Sequence, residues 1–156
     1  MEKEQIPPKV HIKVKKPIEI VLSTLHLGDA RRVVTLAING KDPAEDFLSK
    51  LQKNDRNKLD SIATRIKTVS NYPRYENKIT FRDVGDGIYE FKRPGLRLYA
   101  FYAEINGQDQ LILCTNGGAK SKDQQKDIRQ AKALKNEFFA ALKLPDTTLI
   151  LDWPDP

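Results

Sequence analysis

Short turn signals cut residues 79–118 into a run of brief apolar segments, and no other feature restricts the fold of this chain so closely. Ile79-Thr80-Phe81 alternates, and Gly85-Asp86-Gly87 turns the chain. Ile88 to Arg93 reads as a strand, Pro94-Gly95 as a turn and Leu96 to Ile105 as the next strand. Asn106-Gly107 is a strong hairpin signal, and Gln110 to Thr115 forms a further strand ended by Asn116-Gly117-Gly118. Parallel neighbours need crossovers of about a dozen residues or more, so connections this short make the meander antiparallel.

Helical signals flank this meander. Arg32 to Ile38 is a β-branched strand stopped by Asn39-Gly40. Asp42-Pro43-Ala44-Glu45 then starts a helix, with Asp42 as cap, Pro43 at the first helical position and Glu45 in the first turn. Phe47, Leu48 and Leu51 give that helix its apolar stripe. After Lys53-Asn54-Asp55, the residues Leu59, Ile62, Ala63, Ile66 and Val69 recur at helical spacing, so the two helices form an αα-hairpin. A last helix starts from a Ser121/Gln124 capping box, carries Ile128, Ala131, Leu134, Phe138 and Ala141 on one face, and ends at Leu144-Pro145. The order strand, two helices, four strands, helix makes the expected class α+β.

Residues 1–30 read as an N-terminal extension, 31–142 as the domain proper and 143–156 as a C-terminal tail. In the extension, His11 to Lys15 alternates like an edge strand, while Ile18 to Leu25 fits either a short strand or a helical turn. Leu149-Ile150-Leu151 in the tail could dock as an added edge strand.

Composition excludes several classes. The apolar runs fall far short of the about 20 residues a membrane span needs. The N-terminus lacks the apolar core of a secretory signal, so a soluble, cytoplasmic protein is expected. Cys114 is the single cysteine, which rules out an internal disulfide and an all-cysteine zinc site. His11 and His26 have no partner at metal or triad spacing, and the stretch from Asn116 to Ser121 lacks the glycines of a nucleotide-binding loop. No metal site is expected. Lys and Arg number 27 against 21 Asp and Glu, a net charge of +6, which suits a polyanion or an acidic protein partner.

Strand register converts that charge into a place. If Pro94-Gly95 is a two-residue turn, Lys92 pairs with Arg97 and Glu90 with Tyr99. If Asn106-Gly107 is another, Arg97 faces Asn116 and Tyr99 faces Cys114. One face then carries Lys92, Arg97 and Asn116 with Glu90 and Tyr99 beside them, and the other is a core face of Tyr89, Phe91, Leu98, Ala100, Tyr102 and Leu113. Cations directly opposite one another destabilise a sheet, so Lys92 and Arg97 are expected to hold an anion. Lys120 and Lys122 bring further charge to the start of the last helix, whose free amides favour phosphate. In the alternative arrangement Arg97 pairs with Glu90 and Lys92 turns outward.

Three stretches, Ile88 to Arg93, Leu96 to Tyr102 and Leu111 to Lys122, followed by Asp127-Ile128-Arg129-Gln130-Ala131, resemble the RelE/HigB superfamily of bacterial toxins, in particular its phage-derived HigB-like branch. That branch has an aromatic-Glu-Leu-Arg strand, an arginine within an aromatic strand, and a lysine-rich segment before a helix with a Glu/Asp-Ile-x-x-Ala pattern. The likeness extends from about Arg31 to Leu142, and departs from the branch at Asn116-Gly117-Gly118 and at Ser121 between the two lysines. It implies a RelE-like fold, an N-terminal αα-hairpin on a small, mainly antiparallel sheet plus a C-terminal helix, and an endoribonuclease that cleaves messenger RNA, usually on the ribosome, and is silenced by a cognate antitoxin. The chemistry it implies is transfer of the phosphodiester to the 2′-hydroxyl without metal or other cofactor. By the same resemblance, Arg97 would stabilise transition-state charge, with Lys92 as candidate base and Glu90 orienting Arg97 or acting as base. Arg93, Lys120 and Lys122 match the family's basic positions and would contact RNA, and the sheet register adds Tyr99 and Asn116 as RNA-contacting candidates. Members of this fold can also lose activity or act on DNA gyrase, so a non-catalytic binding module and a gyrase-directed inhibitor stand as alternatives, and a plain nucleic-acid-binding domain is a third.

Overall fold

A computed structural model describes residues 16–73, 80–107, 111–119 and 123–154. Two strands, β1 (Glu19–Leu27) and β2 (Arg32–Ile38), precede the helices α1 (Pro43–Asn54) and α2 (Arg56–Ser70). The meander β3 (Phe81–Gly85), β4 (Ile88–Arg93), β5 (Leu96–Ala103) and β6 (Leu111–Ala119) leads to α3 (Gln124–Leu142) and a closing strand, β7 (Thr148–Leu151). The class is α+β, and all strands join one mixed seven-stranded sheet in the order β3-β4-β5-β6-β2-β1-β7.

Local sequence accounts for most boundaries. Asp42 caps α1 by accepting the Glu45 amide at 3.0 Å, and Pro43 occupies the first turn. Asp55 does the same for α2 through the Lys58 amide. The cap of α3 is Asp123, which accepts from the Lys126 amide, in place of the expected Ser121, which lies outside the described residues. Asp86, Gly87, Asn106 and Gly107 all have positive φ, as tight hairpin turns require.

Two expectations about the sheet need correction. The meander is antiparallel, but β2 runs parallel to β6 and β1 parallel to β7, so the sheet is larger and more mixed than expected. The helical hairpin also follows two strands instead of opening the fold. Ile18 to Leu25, left open between strand and helix, belongs mainly to β1, whose Ile20 and Leu22 are wholly buried. The tail supplies β7 at the sheet edge. The alternating stretch His11 to Lys15 falls outside the described residues.

A third correction matters for the site: both faces of the sheet are core faces. On one, Phe81, Phe91, Leu98, Ala100, Ile112 and Cys114 pack with Ile62, Ile66 and Val69 of α2 and Leu48 of α1. On the other, Phe101, Leu111, Leu113 and Ile88 pack with Ile128, Ala131, Phe138 and Ala141 of α3. Leu113 therefore belongs to the α3 face, opposite Leu98. The cause is the apolar stripe of α3, which must be buried and finds one sheet face already taken by the helical hairpin.

Candidate nucleic-acid interface

The β4–β5 hairpin has the predicted register: Arg93 opposite Leu96, Lys92 opposite Arg97 and Glu90 opposite Tyr99. Proline fixes a negative φ at residue 94 and Gly95 sits at +79°, which makes the turn type II. That turn matches the twist of paired strands poorly. Side chains from both faces hold it in place. Arg97 Nη1 donates to the carbonyls of Arg93 (2.9 Å) and Leu96 (2.8 Å). On the opposite face, Arg93 Nε donates to Ser61 Oγ of α2 at 2.5 Å. Lys58, one turn earlier on α2, brings its ammonium against Gly95, where an added Cβ would lie 3.4 Å from Nζ.

The second hairpin departs from the expected register. Tyr99 pairs with Asn116 and Arg97 with Gly118, because an irregularity between Tyr99 and Ala100 adds a residue to β6 and the loop before it is longer than two residues. Asn116-Gly117-Gly118 does not end β6 but lies within it. Glycine is required there for space. A Cβ on Gly117 would lie 2.3 Å from the Phe47 ring of α1, and one on Gly118 would lie 2.2 Å from Asp127 Oδ2 of α3. Asn116 ties this segment down through Nδ2, which donates to the Asp127 carbonyl at 3.0 Å.

The expected open pocket on the Arg97 face is closed by α3. Glu90, Arg97, Tyr99 and Asn116 are all buried, with Arg97 only 3% exposed. Arg97 Nε and Glu90 Oε1 form an ion pair at 3.2 Å without hydrogen-bond alignment, and Arg82 of β3 approaches the same oxygen at 3.5 Å. This is the pairing that the alternative arrangement anticipated. The phenol of Tyr99 is buried with no hydrogen-bond partner among the described residues. Burial and the nearby carboxylates of Glu90 and Asp127 push its pKa up to about 12, against a smaller opposing effect of Arg97. Burial, reinforced by Asp123, raises the carboxyl pKa of Asp127.

The cations that reach solvent are therefore at the hairpin end, not under α3. Lys92 and Arg93 are partly exposed on opposite faces of β4, and Lys58 is exposed beside the turn. Among the described residues neither Lys92 nor Arg93 has a carboxylate partner; Lys58 has a loose one, Asp55 at 3.9 Å. Leu96 pairs with Ala119 at the end of β6, so this same end of the molecule is where the chain leaves toward Lys120 and Lys122. Those two lysines lie outside the described residues. Sequence reasoning missed Lys58, Ser61 and Arg82, because their roles depend on how α2 and β3 pack against the hairpin.

Cys114 is buried, and burial raises its thiol pKa, so its chemistry is inert. His26 lies on β1, and His11 lies outside the described residues. Among the described residues no group of three His, Cys, Asp or Glu side chains could hold a metal ion, and no helix is long and apolar enough to cross a membrane. The chain matches no family model and no curated protein.

Proposed function

We propose that this chain is a toxin-type endoribonuclease of the RelE/HigB kind, which cleaves messenger RNA at the ribosome and is held in check by a cognate antitoxin. The observation that carries the reading is the β4–β5 hairpin: a rigid turn with Lys92 and Arg93 at its base and no neutralising carboxylate on either among the described residues. The α+β class is compatible with the resemblance, while the two strands before the helical pair and the mixed seven-stranded sheet depart from it.

Cleavage by the 2′-hydroxyl needs a base, charge stabilisation on the phosphate and an acid for the leaving oxygen. In this reading Lys92 meets the reacting phosphate, Arg93, Lys120 and Lys122 bind the flanking backbone, and the buried Arg97–Glu90 pair fixes the hairpin that presents them. Burial of Arg97 favours one second reading, a non-catalytic or gyrase-directed relative, since the strand arginine is then part of the frame.

Primer-extension mapping of messenger RNA after brief induction tests the proposal, comparing wild type with Lys92→Gln and a Lys120→Gln/Lys122→Gln double variant. New 5′ ends that appear with wild type and fade in the variants support a nuclease. Growth arrest with intact messages supports the gyrase-directed reading. Folded protein with neither cuts nor arrest overturns the toxin assignment.

A further inference from the structure

Lys58 lies outside the stretches that carry the resemblance and outside the strand pattern, yet the fold places it at the hairpin tip. Positions 58 and 61 are neighbours on one side of α2. Ser61 receives the Arg93 guanidinium at 2.5 Å, and Lys58 Nζ lies against Gly95. Two cations from different elements thus flank one turn on the face toward α2, with Lys92 on the other side of the same strand. Among the described residues the carboxylate paired with Lys58 is Asp55, through Oδ2. It stands 3.9 Å away, and its Oδ1 accepts the Lys58 amide as the α2 cap. Three cations held on a fixed frame against one loosely paired carboxylate favour an anion between them.

We propose that Lys58 is a phosphate-binding residue, and that a single strand of RNA passes over the β4–β5 turn onto the first turn of α2. The inference rests on the ribonuclease reading and extends that site from the sheet to the helix. Contact is to backbone phosphate, so it is insensitive to base sequence.

The test is fluorescence anisotropy with a labelled single-stranded RNA oligonucleotide over a salt series. Wild type, Lys58→Gln, Lys58→Arg, Lys92→Gln and Lys143→Gln are compared, and circular dichroism melting confirms that each is folded. Lys143 follows the far end of α3, about 28 Å along the helix from its start by the rise per residue. Losing one phosphate contact should weaken binding several-fold and lower the salt slope by about 0.7. Lys58→Gln is expected to show both effects, Lys58→Arg to restore them and Lys143→Gln to show neither. An unchanged affinity and slope for Lys58→Gln, with Lys92→Gln weakened, overturns the role of Lys58 and leaves the ribonuclease reading standing. If wild type does not bind the RNA, the Lys58 proposal falls, while the ribonuclease reading stands or falls on the mapped 5′ ends. A loss equal in Lys58→Gln and Lys143→Gln means diffuse charge and also overturns the proposal.

Discussion

Truncating Arg97 is the sharpest test of the frame beneath the hairpin. In Arg97→Ala, Glu90 stays 1% exposed and loses the cation 3.2 Å away. Removing one partner of a buried ion pair costs about 3–5 kcal/mol, because the remaining charge is left without compensation. Arg82 still approaches Glu90 at 3.5 Å, but it is 48% exposed and its attraction is screened. It moderates the loss without removing it, so a cost of about 3–4 kcal/mol is expected, toward the lower end of that range. The carbonyls of Arg93 and Leu96 lose a charged donor as well, which further loosens the type II turn. Urea unfolding followed by circular dichroism measures the sum, and for an m-value near 2 kcal/mol/M the midpoint should fall by about 1.5–2 M. The double variant Glu90→Leu/Arg97→Met removes both charges and keeps their volume, and should recover most of the loss. A cost below about 1 kcal/mol for Arg97→Ala, or a double variant no better than the single one, would refute the buried-pair reasoning. The same result governs how activity data are read. An inactive Arg97→Ala protein does not place the arginine in the chemistry until its folding has been measured.

Four further predictions concern other buried contacts. Tyr99→Phe removes a buried hydroxyl that has no partner among the described residues, so melting temperature should hold or rise; a loss above about 1 kcal/mol would show that the hydroxyl is bonded. Because the Tyr99 pKa is raised to about 12, the folded state keeps its proton where the unfolded chain releases it. Stability should therefore fall as pH rises above about 10, less steeply in Tyr99→Phe, as followed by alkaline urea titration. Gly117→Ala drives a methyl into the Phe47 ring and should cost about 1–3 kcal/mol, relieved by Phe47→Leu in the same chain. Trp153→Ala empties a buried site stacked on Arg32 at 4.5 Å and should cost about 3–5 kcal/mol, with the first loss of amide protection in β7 and β1 by hydrogen exchange.

The parts of this fold that were legible in the sequence are those fixed by local chemistry. The bounds of β2 and β4, the Asp42-Pro43 helix start and the Lys92–Arg97 pairing follow from turn residues and capping side chains a few positions away. The register of β6 was not legible, since the irregularity opposite Tyr99 and the spacing of the loop before Leu111 leave no mark in the alternation. Nor did Asn116-Gly117-Gly118 reveal itself as strand, because its glycines answer to Phe47 and Asp127 on other elements and not to a turn. The burial of Arg97 could have been inferred. The α3 stripe of Ile128, Ala131, Phe138 and Ala141 needs a sheet face, and Phe101 and Leu113 supply it on the Arg97 side.

Reading that side as core changes what the two arginines do. An arginine on an open sheet face can meet a phosphate directly, whereas Arg97 spends its charge on Glu90 and its Nη1 donor on the turn. Arg93 faces the other way and is fixed by α2. The hairpin is thus clamped from both faces at the point where its backbone geometry is least suited to a two-residue connection. A binding group on such a frame loses little conformational freedom when a ligand arrives, and that saving goes into affinity or into placement of the reacting phosphate. This favours a division of labour in which Arg97 and Glu90 hold and Lys92, Arg93 and Lys58 contact. The division makes a distinguishing demand on binding. If the reading of the site holds, folded Arg97→Lys, which keeps the charge but not the fork, should bind RNA with weakened affinity and an unchanged salt slope. Lys92→Gln should lower the slope itself. Equal slopes in the two variants would assign both residues to the same task and dissolve the distinction between frame and contact.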